Sequence, residues 1–471
     1  MKIIFIIPPF DLMKQGYGSK QSIRAGFFPP LGVGYLAAPL LQSGHSVKII
    51  DAPPLGWGNE EIGQALAEFK PDIIGVSSLT ASAKEAYSLV NFLKEQAPTR
   101  PVVFGGAHAS CFPEAIFEAC PSLDGLIFGE GEVTFKKIVA SMAQAGRISV
   151  DILGTWWRQD GRLIKNQPAE PVLNLDDLLP PAYELYDLAL YRPLPLQYKK
   201  LPVANVITSR GCPWGRCTFC FEAGRASQQY RRHSPGRAAQ EIKDLVEKFG
   251  IKEIAFWDDN FLVNEKWIFE FCDLLDTSGL RLPWSAYGRV NTITQPMLER
   301  VKRSGCWSVF YGFETGNEDL LVRIKKGITL EQSRQAARWT RDLGMDIRGS
   351  FMLALPGETP AKAHQTVEFA KELNLPFVQF LLTYPEWGTE LYDDALAHGQ
   401  IFNEYKSRTT ATYVPAGYQD AVQVRQIQKM AYRSYYFRPA FFWMHFKRLI
   451  KSPAIAKQYF EGLKFIFGIS A

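Results

Sequence analysis

Cysteine is scarce in this chain: seven residues in 471, too few for a disulfide scaffold and odd in number. No run approaches the ~18 uninterrupted apolar residues of a membrane-spanning helix. The opening MKIIFIIPPF is no signal peptide, because its apolar run stops at Pro8-Pro9 without a small-residue cleavage site. It reads as a buried first strand, and the chain is expected in the cytoplasm. Low-complexity tracts and repeats of fixed period are absent. Net charge is only +5, and from residue 431 onward seven Lys/Arg face one acid. The main body is therefore slightly acidic, which argues against nucleic acid as a partner. With 46% apolar and 21% charged residues, the chain has the composition of a folded protein of two or three domains.

What is present is alternation. In residues 1–146 the strand candidates KIIFIIP, SVKIID, DIIGVSS, PVVFGG and GLIFG are separated by amphipathic stretches such as EEIGQALAEF and AKEAYSLVNFLKEQ. That order predicts an α/β fold with a doubly wound, Rossmann-like parallel sheet and a site at the strands' carboxyl ends. Residues 147–200 are proline-rich and read as a small hairpin and linker. Alternation resumes over 201–400 with ANVITS, EIAFW, WSAYGR, SVFYGF, IRGSFML and FVQFLL. Six βα repeats predict a partial barrel. Residues 401–471 read as a helical C-terminal region rich in aromatics.

Cys212, Cys217 and Cys220 cluster directly after ANVITS, where a barrel places its functional loops. Four-iron clusters take four Cys. Three thiolates suit such a cluster with one iron left open for a substrate or cofactor. Gly215 lets the loop bend, and Arg216 offsets the cluster's negative charge. Zinc prefers four ligands in repeated pairs. Here a second pair is missing, and His233 is the nearest spare donor. Structural zinc or inert thiols therefore stand as the lesser alternatives. Cys111, Cys120, Cys272 and Cys306 read as core.

The cysteine loop, IAFWDDNFLVN, YGRVNTITQPMLERVKRSGC, FYGFETGNEDLLVRIKKGIT and FMLALPGETP together resemble the radical S-adenosylmethionine (SAM) enzymes that carry an N-terminal cobalamin-binding domain. FFPPLGVGYLAAPLLQSGHSVKIID, FGGAHASCFPEA and GEGE are similar to the same class, so the resemblance covers almost the whole chain. The family's usual spacing is C-x3-C-x2-C; this loop has one residue more between its first two cysteines.

The resemblance implies a 4Fe-4S cluster on Cys212, Cys217 and Cys220, SAM on its open iron, and cleavage of SAM to a 5′-deoxyadenosyl radical. Phe219 is expected along the adenine. Asp258, Asp259 and Asn260 are expected at the amino group, Glu314 at the ribose or amino-acid moiety, and Arg289 at the barrel mouth. Helix capping by Asp258 and Asn260 is the competing reading, as it is for Glu358. Cobalamin is expected over the strand ends at Ser77, Ser78 and Thr80, at Gly105, Gly106 and His108, and at Gly129, Glu130 and Gly131. Ordinary turns are the alternative there. The cobalt-binding pattern D-x-H-x-x-G is absent, so no His is expected on the metal. Gly32-x-Gly34-x-x-Ala37 fits a dinucleotide fingerprint but does not follow the first strand directly. Its glycines read as close helix packing.

The C-terminal stretch YYFRPAFFWMHFKRLI, with Lys451, Lys457 and Lys464, fits an amphipathic helix on an anionic membrane surface or a helix packed on the barrel. Three functions follow. The first is cobalamin-dependent methyl transfer to an unactivated centre of a small-molecule or lipid-like substrate, with a flavodoxin or ferredoxin as electron donor. The second is an oxidoreductase, cyclase or rearrangement enzyme without net methylation. The third is a cofactor-binding protein without catalysis.

Overall fold

The computed structural model describes residues 1–16, 25–224, 229–402, 410–451 and 461. Lys457 and Lys464 lie outside the described residues. The chain divides into two units: Met1–Leu12 with Arg24–Arg192, and Met13–Ile23 with Pro193–Ala471.

In the first unit the β-branched runs become β1 (Lys2–Ile7), β2 (Ser46–Asp51), β3 (Ile73–Ser77), β4 (Val102–Gly105) and β5 (Gly125–Ile127). A hairpin, β6 (Thr155–Gln159) and β7 (Arg162–Lys165), follows. The sheet order is β2-β1-β3-β4-β5-β6-β7. The first five strands are parallel, and β6 joins antiparallel with Leu126 opposite Trp156. The hairpin therefore extends the first sheet from five strands to seven. Successive residues go to opposite apolar clusters: Ile4, Ile6, Ile74 and Val76 to one, Ile3, Phe5 and Ile73 to the other. Helices cover both faces, which is why these strands read as continuous apolar runs. The order β2-β1-β3 reverses direction at β1, and such a reversal opens a crevice at the strand ends.

The fingerprint-like glycines sit in the helix Leu31–Gln42. A Cβ on Gly34 would lie 2.9 Å from the Cβ of Pro181, so this glycine serves close packing.

The second unit holds β8 (Val203–Val206), the short pair β9 (Ser209–Arg210) and β10 (Arg231–Arg232), then β11 (Glu253–Phe256) and β12 (Trp284–Gly288). β13 (Cys306–Glu314), β14 (Asp346–Leu353) and β15 (Phe377–Leu382) follow, then the small pair β16 (Gly399–Ile401) and β17 (Tyr413–Pro415). The six long strands form a parallel sheet in the order β15-β14-β13-β12-β11-β8, the partial barrel expected from the repeats. Its helices start on side-chain caps: Ser234, Asn264, Thr294, Thr329 and Thr359 each accept from the backbone N–H three residues on.

The sheet's β15 edge is closed by side chains. In the helix Ala421–Tyr436, the Tyr436 hydroxyl accepts from Val378 N (2.9 Å) and donates to Val378 O (2.6 Å). Tyr432 accepts from Phe380 N (3.3 Å), and Gln428 donates to Phe380 O (2.7 Å). An open edge would otherwise pair with another chain. Part of the aromatic C-terminal region therefore packs on the sheet.

Candidate active site

The cysteine loop starts at Gly211, whose φ of +80° turns the chain out of β9. Cys217 is buried, Cys212 and Cys220 are half-buried, and all three thiols are free. Cys220 N donates to Cys217 O (3.0 Å), a tight turn that presents the last two sulfurs. Gly215, at φ +54°, lies in the stretch between Cys212 and Cys217 where the loop is one residue longer.

Four consecutive carbonyls, Ile324 to Gly327, accept two bonds from the cysteine loop and two from residues just after β12. Ile324 O accepts from Thr218 N at 3.0 Å. Lys325 O accepts from Trp214 Nε1 at 2.9 Å, Lys326 O from Arg289 Nη2 at 2.5 Å, and Gly327 O from Asn291 Nδ2 at 2.9 Å. Gly327 sits at φ +67°, and a Cβ there would come within 2.0 Å of the Trp214 ring. Trp214 is thus pressed onto a residue that must be glycine.

Arg289 is buried, not a surface charge, and its Nη1 lies 3.9 Å from Cys217 Sγ. Arg216, expected to meet the cluster charge, is exposed and lies over the Trp214 ring at 5.5 Å. The cation at the thiol comes from β12's end, which linear spacing does not reveal. Lys326 is the second cation and was not anticipated. Its Nζ pairs with Glu314 Oε1 at 2.6 Å, both side chains buried, and stands 5.7 Å from the Phe219 ring. Glu314 holds φ +64° at a break in the β13–β14 register, a costly conformation for a side-chain-bearing residue.

Burial pushes the Cys217 thiol up, against the pull of Lys326 and Arg289. Burial pushes Cys220 up to about 11, with Cys217, Asp259 and Cys212 nearby adding to it. Cys220 is therefore a thiol at neutral pH and must release a proton to bind iron, as metal loading does. Among the described residues no three His, Cys, Asp or Glu converge to hold a single ion. A four-iron cluster takes its thiolates one per iron and does not require this.

The β11 end separates its three candidates. Asp258 is buried and committed to β8's end: it accepts from Thr208 N (3.1 Å), Thr208 Oγ1 (2.7 Å) and Ser209 Oγ (2.5 Å). Asn260 is fully buried and donates to Thr292 Oγ1 (3.3 Å). These two hold loops together and cap no helix. Asp259 reaches solvent, yet crowding by the surrounding protein raises its carboxyl to about 6, with Glu222 and Asp258 adding. Of the three, only Asp259 has its side chain open to solvent. Phe219 packs on Leu320, Ile324, Leu355 and Leu391 and stays partly open. Glu358 is buried, accepting from Ala354 N (2.5 Å) and Tyr418 (2.6 Å), so it stabilises the β14 turn.

In the first unit, positions after β3, β4 and β5 also divide. Nothing lies within 4 Å of a Cβ placed on Gly105 or on Gly129, which has φ +77°. Gly106, at φ +95°, would clash with Ser78 O at 2.7 Å. Ser78 Oγ meets Ser82 Oγ at 3.0 Å. His108 bonds Tyr87 (2.6 Å) and Thr80 (3.3 Å), and burial lowers it to about 4, a neutral ring. Glu130 accepts from Val172 N (3.2 Å), and Gly131 backs onto Leu36 at 3.1 Å. Ser77, beside Gly106, is half-buried. The free room is therefore at Gly105 and Gly129, while Ser78, Thr80 and His108 bond inward.

Residues 24–139 match the B12 binding domain family and residues 206–370 the Radical SAM superfamily. An uncharacterized methyltransferase of Pyrococcus horikoshii is 32% identical over 443 residues, 93% of each chain. This chain belongs to the B12-binding radical SAM enzymes. An anaerobic magnesium-protoporphyrin IX monomethyl ester cyclase of Rubrivivax gelatinosus is 25% identical, over 94% of this chain and 78% of that one. The fold also matches a radical SAM methyltransferase, TsrM, of Kitasatospora setae, solved with cobalamin and a 4Fe-4S cluster. The TM-score is 0.69 at 16% identity, over 93% of this chain and 89% of that one. In this B12-binding radical SAM enzyme, the strand-end glycines Gly105 and Gly129 have open space beside them, which is compatible with close approach of a bulky cofactor. The free thiols beside Arg289 suit an anionic cluster.

Proposed function

We propose that this enzyme is a cobalamin-dependent radical SAM methyltransferase acting on an unactivated centre of a small organic or lipid-like substrate. One observation carries the reading: three free cysteines on one loop, bonded through Thr218 and Trp214 to carbonyls 324 and 325, in a chain of this family. When bound, the cluster supplies the electron that cleaves SAM to a 5′-deoxyadenosyl radical, and cobalamin carries the methyl group. Cys212, Cys217 and Cys220 would hold the cluster and, being three, would leave one iron for SAM. Arg289 offsets charge at Cys217. Lys326 orients Glu314 towards a polar part of SAM, Asp259 receives its ammonium group, and Phe219 offers a face to the adenine. Gly105, Gly129 and Ser77 receive cobalamin.

Anaerobic reconstitution with iron, sulfide, cobalamin, SAM and a flavodoxin or ferredoxin tests this. Release of 5′-deoxyadenosine together with S-adenosylhomocysteine is expected. Deoxyadenosine alone, with a turned-over substrate, would favour the cyclase-type reading that the Rubrivivax relative keeps open.

A membrane-surface role for the C-terminal region is part of the proposal. Among the described residues no helix is long and apolar enough to cross a membrane. The helix Pro439–Lys451 buries Phe441 and His445 but exposes Phe442, Trp443, Phe446 and Ile450, with Lys447 over Trp443. An apolar stripe edged by cations suits an anionic bilayer surface. Replacing Phe442, Trp443 and Phe446 by Ser should abolish co-sedimentation with anionic liposomes; unchanged partitioning would refute the idea. Deleting residues 431–471 is a poorer test, because it removes the tyrosines that close β15.

A further inference from the structure

The two faces of the second sheet differ in chemistry. Towards the helices, Val309, Tyr311 and Phe313 of β13 and Ile347 and Phe351 of β14 are buried and mostly apolar. On the opposite face the register aligns Tyr287, Phe310, Arg348 and Phe377 across β12 to β15. A βα barrel normally fills this interior with branched apolar side chains. Here it holds an arginine.

Arg348 is 8% exposed. Its guanidinium lies over the Phe310 ring at 5.8 Å, and its Nε finds no acceptor. Among the described residues no carboxylate forms an ion pair with it. The carboxylate whose charge is felt there, Glu253, is already held by Lys199 N (2.6 Å), Lys200 N (2.7 Å) and Trp307 Nε1 (2.8 Å). Ser308 Oγ, on the same face and fully buried, is also unpartnered. A buried, unneutralised cation is strongly unfavourable, and an apolar residue of similar volume would be more stable. Arg's planar fork matches the paired oxygens of a carboxylate or a phosphate-type group.

We propose that Arg348 is the anchor for an oxyanion group of the substrate, bound on the inner face of the second sheet beside the aromatic wall of Tyr287 and Phe310. The inference rests on the radical SAM reading and adds the substrate class: a molecule carrying a carboxylate or phosphate-type group.

The test uses the full-length, cofactor-loaded protein. Its thermal midpoint is followed while sodium phosphate, or separately sodium acetate, replaces chloride at constant ionic strength. A saturable rise is expected in one arm, and the responding arm identifies the group. Arg348→Gln should raise the half-effective concentration at least about 10-fold, and Arg348→Lys, with charge but no fork, should fall between. Arg348→Met should melt higher than wild type in chloride alone and lose the response. A wild type indifferent to both anions, or variants that respond like wild type, would overturn the site. SAM cleavage by wild type is measured in the same preparation. Its absence would count against the family chemistry, whereas a missing anion response with cleavage intact would overturn the Arg348 site alone.

Discussion

In the first sheet, Ile3 and Phe5 go to one apolar cluster and Ile4 and Ile6 to the other, so both faces are spent on packing. In the second, Tyr311 and Phe313 pack against helices, while the opposite face carries Phe310 and the buried Arg348. A sheet sealed on both sides can receive a ligand only at its strand ends, where Gly105 and Gly129 leave space. An inner face that carries an arginine unpaired among the described residues offers a ligand a contact along the strands as well as at the mouth. The same βα repeat thus gives two apolar faces in one unit and one apolar and one partly polar face in the other.

The comparison can be broken most severely at the carboxyl end of the second sheet. Lys326→Met leaves the Glu314 carboxylate buried without its partner. A loss of about 3–5 kcal/mol in denaturant unfolding is expected, with reduced iron uptake. A loss under about 1 kcal/mol would mean that the pair is solvated and weak.

Glu358 gives the next effect. Burial raises its carboxyl from 4.5 to about 7, against bonds from Tyr418 and Ala354. The folded state then keeps a proton that the unfolded state releases, so this group's contribution falls as pH rises from about 4.5 to about 7 and is flat above. The slope approaches about 1.4 kcal/mol per pH unit within that window. Glu358→Gln should flatten it in unfolding titrations at about pH 5 and about pH 8. An unchanged slope would place the titration elsewhere, at Asp51 of the first sheet or Glu253 of the second, both also raised to about 7.

Gly327→Ala drives a methyl group into the Trp214 ring and strains a positive φ. A cost of about 2 kcal/mol is expected, with lower iron content per chain as the loop is displaced. The mildest case sharpens the contrast. Gly129→Ala meets open space and should cost only about 1 kcal/mol for its φ, while cobalamin retention on gel filtration drops. Retention equal to wild type would move the cofactor away from β5.

Much of this was legible before the structure. The five β-branched runs of the first unit and the six of the second all became strands, because buried parallel strands are continuous apolar stretches. The cysteine loop was visible because its three ligands are neighbours in sequence. What holds the loop was not. Arg289 is brought to Cys217 by β12 from 72 residues away, and carbonyls 324 and 325 reach the loop from the turn after the helix Glu318–Arg323. Within the quoted segment FYGFETGNEDLLVRIKKGIT, Lys326 resembles any surface lysine until Glu314 is seen beside it. Asp258 and Asn260 occupied the expected stretch, yet burial turned them to structural duty and left Asp259 facing out. The β6–β7 hairpin was legible as a hairpin, but its sequence shows nothing of the β5 edge it joins. The aromatic C-terminal region divided its roles, with tyrosines sealing β15 and Phe442, Trp443 and Phe446 left outside.

The central claim is that Cys212, Cys217 and Cys220 leave one iron of a four-iron cluster open for SAM. Electron paramagnetic resonance of the reduced, reconstituted protein, recorded with and without SAM, addresses it directly. The account predicts a 4Fe-4S signal whose shape changes on adding SAM, and which is lost in Cys217→Ala. A signal indifferent to SAM, or a full cluster retained without Cys217, would contradict it.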